Sequence, residues 1–169
     1  MGLTDLILGN YKRVADRLGL VIEDGRIHGV LEGVPIQVWF GPHATHIVAM
    51  LPRPAQVDVS VATKGLIAKL ADLFGSHRDG IGDPAFDKVF AVKASDLTRA
   101  AGLLDPAARN ALLASEDAGQ HPAVDAHSVH LRRFSQGGWG DSEQMIDGDF
   151  HAAVRLAKVI GDSFGAHYR

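Results

Sequence analysis

The feature that most restricts the fold of this chain is a change of hydrophobic period near residue 20. Residues 3–18 carry apolar side chains at the spacing of one helix face, and Gly19 supplies a stop. From Leu20 onward the period becomes two, and turn residues recur at short intervals. This change predicts an N-terminal helix followed by short antiparallel strands, which is an α+β arrangement.

Five strands are predicted before residue 62. Asp24-Gly25 is a strong signal for a two-residue hairpin, Glu32-Gly33 marks a second turn, and prolines at 52–54 break the pattern. Because the connections are tight, we expect an antiparallel meander with helices on one face and the other face open to water. The predicted strands are 20–22, 26–31, 34–40, 44–51 and 56–61.

The rest of the chain mixes helices with strands. Ser95 is the expected cap of one helix, and Asp105-Pro106 places a capping carboxylate and a proline at the start of another. The seventh strand either extends toward Phe134 or bends and pairs with a short eighth strand. The predicted elements are a helix at 64–74, a strand at 86–93, helices at 96–104 and 105–116, a strand at 124–133 and a helix from Asp141 or Ser142.

The last helix is predicted from an apolar stripe that continues over five turns. We therefore predict a single α+β domain over residues 1–169, in which an antiparallel sheet of about seven strands packs against N-terminal, central and long C-terminal helices. The stripe consists of Ile146, Phe150, Ala153, Val154, Ala157, Ile160 and Phe164.

The segment 80–165 resembles an uncharacterised bacterial domain-of-unknown-function family. The resemblance rests on a Gly-Asp-Pro-x-Phe-Asp turn at 82–87, Phe-x-Val at 90–92, the Thr-Arg-Ala-Ala segment at 98–101 and Leu-Leu-x-Pro-x-x-Arg-x-x-Leu-Leu at 103–113. It implies a bacterial protein and this order of elements, and it transfers no catalytic residue and no ligand. Phe86 and Phe90 would share one face of the predicted strand, so we expect both in the core.

Composition excludes several classes of function. The chain has no cysteine, which excludes disulfides, cysteine-based zinc sites and thiol catalysis. A net charge of −3 argues against a nucleic-acid binder, and Arg132-Arg133 is interpreted as two solvated strand-end arginines. No signal peptide and no apolar run of ~20 residues is present, so we expect a cytoplasmic protein without a membrane span.

Nine histidines raise the hypothesis of a metal site. His43 and His46 are the first candidates, because they flank a predicted hairpin. His127 and His130 are three residues apart, so on a regular strand they would face opposite sides and share no metal. We assign no metal ligand.

No pattern of catalytic or cofactor-binding residues is complete. None of the serines lies in a nucleophile elbow, the acids fall in turns and in the first turn of a helix, and neither glycine-rich segment has the order of a nucleotide-binding loop. We therefore assign no catalytic or cofactor-binding residue and expect no cofactor. The candidates considered are Ser60, Ser128, Ser135, Glu23-Asp24, Asp147, Asp149, Gly80-x-Gly82 and Gly137–Gly140, which includes Trp139.

Trp39 and Phe40 are adjacent on a predicted strand, so one of them must lie away from the core. That face is either buried by another subunit or lines a groove. We accordingly favour a non-enzymatic binding or protein-interaction module that uses the sheet face or the loops at 41–46 and 137–140. Its partner would be an unidentified protein or a second copy of the chain.

Two other functions stay open at this point. One is an enzyme of unrecognised type, with histidines and carboxylates brought together by folding. The other is a carrier of a small apolar ligand between the sheet and the alanine-rich C-terminal helix.

Overall fold

The structure, a computed structural model, describes residues 3–67, 80–134 and 141–166. The helix predicted at 64–74 is described for its first turn, and the remainder lies outside those residues. The helices are α1 (Leu3–Leu18), α2 (Lys64–Ile67), α3 (Pro84–Val89), α4 (Leu97–Leu103), α5 (Pro106–Asp117) and α6 (Glu143–Ala166). The strands are β1 (Val21–Glu23), β2 (Arg26–Leu31), β3 (Val34–Phe40), β4 (Ala44–Met50), β5 (Val59–Thr63), β6 (Phe90–Ala94), β7 (Ala123–Val124) and β8 (Ser128–Phe134).

The strands form a single eight-stranded sheet in the order β1-β2-β3-β4-β8-β7-β5-β6. All neighbours are antiparallel, so the predicted α+β class and the single domain are confirmed. The first four strands make the expected meander. Its two tight turns have positive φ at Asp24 (49°), Gly25 (72°), Glu32 (50°) and Gly33 (82°), which is the backbone that a two-residue hairpin requires.

The prediction that β5 continues this meander is wrong. β8 pairs with β4 along its whole length, from Ala44↔Phe134 to Met50↔Ser128, and thereby occupies the place next to β4. β5 instead lies between β7 and β6. The proline-containing segment after β4 leaves the sheet and is held by backbone bonds, in which the N–H groups of Leu51 and Ala55 donate to carbonyls of the β7–β8 turn.

The segment predicted as one strand at 124–133 forms two strands. β8 reaches Phe134, and the preceding residues fold back as the two-residue strand β7. The carboxylate of Asp125 closes the turn by accepting hydrogen bonds from the N–H groups of His127 and Ser128. His127 therefore lies in a turn, which corrects its expected position on a strand.

The strand predicted at 86–93 begins at Phe90, because Pro84–Val89 is helical. Asp83 caps this helix by accepting a hydrogen bond from the N–H of Phe86, and Pro84 occupies the first turn. Phe86 and Phe90 are buried as predicted. Their rings stack with centroids 4.8 Å apart. The two residues are four positions apart, which places Phe86 on α3 beside Phe90 at the start of β6.

Two carboxylates cap the next pair of helices. Asp96, rather than the predicted Ser95, accepts a hydrogen bond from the N–H of Arg99 at the start of α4. Asp105 caps α5 as expected, with Pro106 at the first helical position. A side-chain acceptor of this kind contributes about 1 kcal/mol to helix stability.

The helices pack against one face of the sheet, and α6 crosses β3, β4 and β8. The predicted apolar stripe of α6 is entirely buried, from Ile146 to Phe164. Each large apolar side chain removed from water contributes about 1.5–3 kcal/mol, so this stripe is a principal source of stability. Ala153 and Ala157 are fully buried within it, which allows close packing of the helix.

An ion pair between the half-buried Arg133 and the buried Asp149 joins α6 to β8. Arg133 contacts both carboxylate oxygens of Asp149, and its Nη2 lies 2.6 Å from Oδ1. Gln120 donates a further hydrogen bond to Oδ1 at 2.9 Å. The predictions that Arg133 is solvated and that Asp149 merely suits the helix dipole are therefore wrong. The hydrogen bonds that Arg133 donates to Asp149 raise the pKa of Arg133 above its ordinary value.

Removing one partner of the Arg133–Asp149 pair should lower the stability of the fold. We expect Asp149→Ala to lower the free energy of unfolding by about 3 kcal/mol, the lower end of the range for a buried pair, because it leaves the half-buried guanidinium of Arg133 without a carboxylate. Asp147→Ala, which removes a more exposed carboxylate paired with Arg17, should cost less than about 1 kcal/mol. Urea denaturation of both variants measures the difference, and equal losses would contradict the assignment.

Candidate functional site

The face of the sheet opposite the helices carries the candidate site. Its side chains come from alternate positions of each strand, and they are exposed or half-buried except for Ala44 at the start of β4. We call this surface the outer face. It consists of Val21, Glu23, Arg26, His28, Val30, Pro35, Gln37, Trp39, Ala44, His46, Val48, Met50, Ser60, Ala62, Ala91, Lys93, Ala123, Ser128, His130, Arg132 and Phe134.

The two adjacent aromatics of β3 separate as predicted. Phe40 points to the core and meets Tyr11 edge to face, with ring centroids 4.8 Å apart. Trp39 lies on the outer face, where its ring stacks on His46 at 5.2 Å with parallel planes. The indole is thus packed against its neighbour on the outer face rather than against the core.

His46 and His130 form a pair at the centre of the outer face. The strand register places His46 opposite Arg132 and Val48 opposite His130, so the two histidines are diagonal neighbours on β4 and β8. Nδ1 of His46 lies 3.0 Å from Nε2 of His130. Such a bond needs one protonated and one unprotonated nitrogen, which two neutral imidazoles supply.

Burial and charge both keep this pair neutral. The pKa of His130 falls to about 4, chiefly because burial penalises the imidazolium and further because His46 and Arg132 lie close. Asp125 opposes this lowering weakly. Burial also lowers the pKa of His46, with a second contribution from Arg132. At neutral pH the pair therefore presents aromatic surface rather than positive charge.

Arg132 completes a group that we call the sheet-face cluster: Trp39, His46, His130 and Arg132. Within the part of the chain that the structure describes, the buried Nε of Arg132 has no hydrogen-bond partner. Arg132 is also half-buried, which corrects the prediction of a solvated arginine. Since an unmet buried donor costs about 1–3 kcal/mol, this guanidinium is suited to receive an acceptor from outside the chain.

Exposed apolar side chains surround the cluster. Val30 is 61% exposed, Met50 43% and Phe134 38%. Their positions on β2, β4 and β8 spread the apolar surface along the same side as Trp39. Apolar and aromatic side chains beside an arginine are the composition found at the centres of protein interfaces.

The other sequence candidates are not brought into one site. His43 lies in the turn before β4, and the hydroxyl of Ser128 donates to Asp125. Among the described residues, no three histidine, aspartate or glutamate side chains are arranged to hold a metal ion. Gly137–Gly140, Trp139 and Ser135 lie outside the described residues.

The Gly80-x-Gly82 segment forms a structural turn. The carboxylate of Asp87 accepts hydrogen bonds from the N–H groups of Ile81 (2.9 Å) and Gly82 (3.1 Å). A Cβ at position 80 would overlap this carboxylate, and Gly82 has a positive φ of 86°. These glycines are therefore explained by the turn that leads into α3.

Comparison with known proteins identifies a solved structure with a similar fold. No protein-family model and no curated protein matches the chain, so the resemblance stated for residues 80–165 stays a prediction. The crystal structure of the mycobacterial trehalose monomycolate transport factor A, TtfA, matches with a TM-score of 0.61 over 93% of both chains, at 12% sequence identity. At that identity the match shows a shared fold and nothing further.

The prediction that the chain has no membrane span concerns here the described residues alone. None of the helices there combines the length and the apolar composition that crossing a bilayer requires. The cytoplasmic location stays a prediction.

The neutral histidine pair makes stability depend on pH. In the unfolded chain His130 binds a proton below its ordinary pKa of 6.5, whereas in the folded protein it does so only below about pH 4. His130 therefore leaves the free energy of unfolding unchanged above pH 6.5 and lowers it as the pH falls from 6.5 toward 4. We expect His130→Gln to reduce the loss between pH 7 and pH 5 by about 1 kcal/mol, half the full linkage value because the ring is partly screened by water.

Urea denaturation of the wild type and of His130→Gln at the two pH values measures this difference. Carboxylates contribute equally to both proteins and cancel in the comparison. An identical loss in the two proteins would contradict the assignment.

Proposed function

We propose that this chain is a non-enzymatic binding module that docks an acidic partner protein on its outer face. The observation that supports this most strongly is the composition of that face. That face combines exposed apolar side chains with Trp39 and with Arg132, whose buried Nε has no hydrogen-bond partner among the described residues. No described helix covers it.

Charge favours an acidic partner over a second copy of the chain. The outer face carries Arg26, Lys93 and Arg132 against the single carboxylate of Glu23, although the whole chain has a net charge of −3. In a two-fold symmetric dimer this face would meet a second copy of itself, so an excess of cations would lie opposite an excess of cations. Such like-charge contacts are costly, while carboxylates on a different protein would be attracted.

Trp39 and Arg132 are the expected anchors of the interface. Tryptophan and arginine dominate the binding energy of many interfaces when they lie near the centre. Here they flank a histidine pair that is neutral at pH 7, so a partner meets an aromatic surface with positive charge at its rim.

The enzyme alternative receives less support from these residues. The two histidines with lowered pKa values lie on the face of the sheet, and they are hydrogen-bonded to each other rather than to a carboxylate. The protein with the similar fold is described as a transport factor, which is compatible with a role in binding or transport.

Binding to a defined acidic polypeptide tests the proposal. We expect fluorescently labelled random poly(Glu,Tyr) to bind the wild type, with an affinity that falls as salt rises because the contact is partly electrostatic. Arg132→Gln and Trp39→Ala should each raise the Kd about tenfold. Arg155→Gln is the matched control, since Arg155 is exposed on α6, away from the outer face.

Fluorescence anisotropy gives the Kd values, with polylysine and phosphatidylglycerol vesicles as further arms. Equal effects of Arg132→Gln and Arg155→Gln would contradict the proposal, as would an absence of binding by the wild type. Tighter binding to the vesicles than to poly(Glu,Tyr) would assign the face to an anionic membrane instead.

A further inference from the structure

A pocket of 540 Å³ lies at the end of the sheet where β5 and β8 end. It is bounded by the start of α2, the end of α3 and the segment that follows α5. Volumes of about 300–1,000 Å³ are typical of sites for small molecules. The pocket lies apart from the sheet-face cluster, since none of the four cluster residues lines it.

The segment that precedes β7 contributes His121 to this pocket. β7 has two residues, and it lies between β5 and β8 in the sheet. His121, two residues before β7, has a φ of +40°, which a non-glycine residue rarely adopts. Strained backbone of this kind persists where the surroundings impose it, and it concentrates at functional sites.

Unmet polar atoms line the pocket. His121 bonds through Nδ1 to Oε1 of Glu116 at 3.0 Å, and Oε2 of Glu116 is buried with no hydrogen-bond partner among the described residues. The hydroxyl of Thr63, a residue that is 4% exposed, is likewise buried and without a partner in that part of the chain. Both residues line the pocket. A hydrogen-bonding group brought by a ligand would relieve this deficit.

The mouth of the pocket combines positive charge with an aromatic ring. Lys64 and Lys88 line it and are exposed. The ammonium of Lys64 donates one hydrogen bond to the carbonyl of Asp87, and an ammonium has three donors. The ring of Phe134 is partly exposed and packs edge to face against His121, with centroids 5.1 Å apart.

We propose that this pocket binds a small aromatic carboxylic acid that carries a hydroxyl group. The carboxylate would lie between Lys64 and Lys88, the ring against Phe134, and the hydroxyl would donate to Glu116. Charge and shape define this ligand class: two ammonium groups attract an anion, an apolar wall favours a ring, and an unmet carboxylate oxygen requires a donor. The pocket shares Phe134 with the outer face, but its other lining residues lie outside that face, so the inference does not rest on the proposed protein partner.

Titration of the ¹⁵N-labelled protein with 4-hydroxybenzoate tests the site. We expect saturable shifts of the amides of Lys64, Lys88, His121 and Phe134. The neutral analogue 4-hydroxybenzamide should bind about tenfold more weakly, because it lacks the charge that the lysines recognise. Lys88→Met should raise the Kd for 4-hydroxybenzoate several-fold, while Lys12→Met, which removes an exposed lysine on α1, should leave it unchanged.

A blocking variant gives a second readout that does not depend on charge. Gly65 lines the pocket and has open space beside it, so we expect Gly65→Leu to abolish binding. Gly148→Leu is its control, because Gly148 also has open space but lies on α6. The proposal is overturned if 4-hydroxybenzoate gives no saturable shifts, if the amide analogue binds equally well, or if both Lys88→Met and Gly65→Leu bind like the wild type.

Discussion

The packing of α6 across the sheet is the constraint on which the rest of the structure depends. Its apolar stripe meets the inner side chains of β3, β4 and β8, and Asp149 fixes it to β8 through Arg133. The other helices lie on the same side, where they extend this core. One side of the sheet thus becomes the interior of the protein, and the described helices leave the opposite side to solvent.

This one-sided packing also separates the charges. On the helix side, Arg13 and Arg17 pair with Glu143, Arg133 with Asp149 and Lys158 with Glu32. On the outer face cations outnumber carboxylates, and the buried Nε of Arg132 has no partner among the described residues. A chain with a net negative charge therefore presents a positive surface around Trp39. We regard this contrast as the physical basis of the proposed recognition.

Local signals predicted most of the elements. The periodic stripe of α6, the hairpin turns at Asp24-Gly25 and Glu32-Gly33, and the Asp105-Pro106 cap are properties of neighbouring residues, and each was confirmed. Asp83-Pro84 carries the same capping signal as Asp105-Pro106, and it marks the start of α3 in the same way. The apolar residues Phe86, Val89 and Phe90 favoured a strand, but the cap and the first-turn proline decided the outcome.

Contacts between distant residues could not be predicted in this way. The place of β8 beside β4 depends on pairings between residues that are far apart in the sequence, from Ala44↔Phe134 to Met50↔Ser128, and this pairing brings His46 to His130. The period of two indicates that Arg132 and Arg133 face opposite sides, but the partner of Arg133 lies on a helix sixteen residues further on. The positive φ of 40° at His121, which pairs with Glu116, also has no signal in the neighbouring sequence.

Site-specific photocrosslinking tests the central claim, that the outer face receives an acidic protein, most directly. Benzoylphenylalanine would replace Val30 or Met50 on the outer face, and Gln144 or Arg155 on the exposed side of α6, in the cells that produce this protein. We predict crosslinks to another protein from the two outer-face positions, through a peptide rich in carboxylates, with a yield that Arg132→Gln reduces. Crosslinks from α6 alone, or crosslinks that join two copies of this chain, would contradict the account.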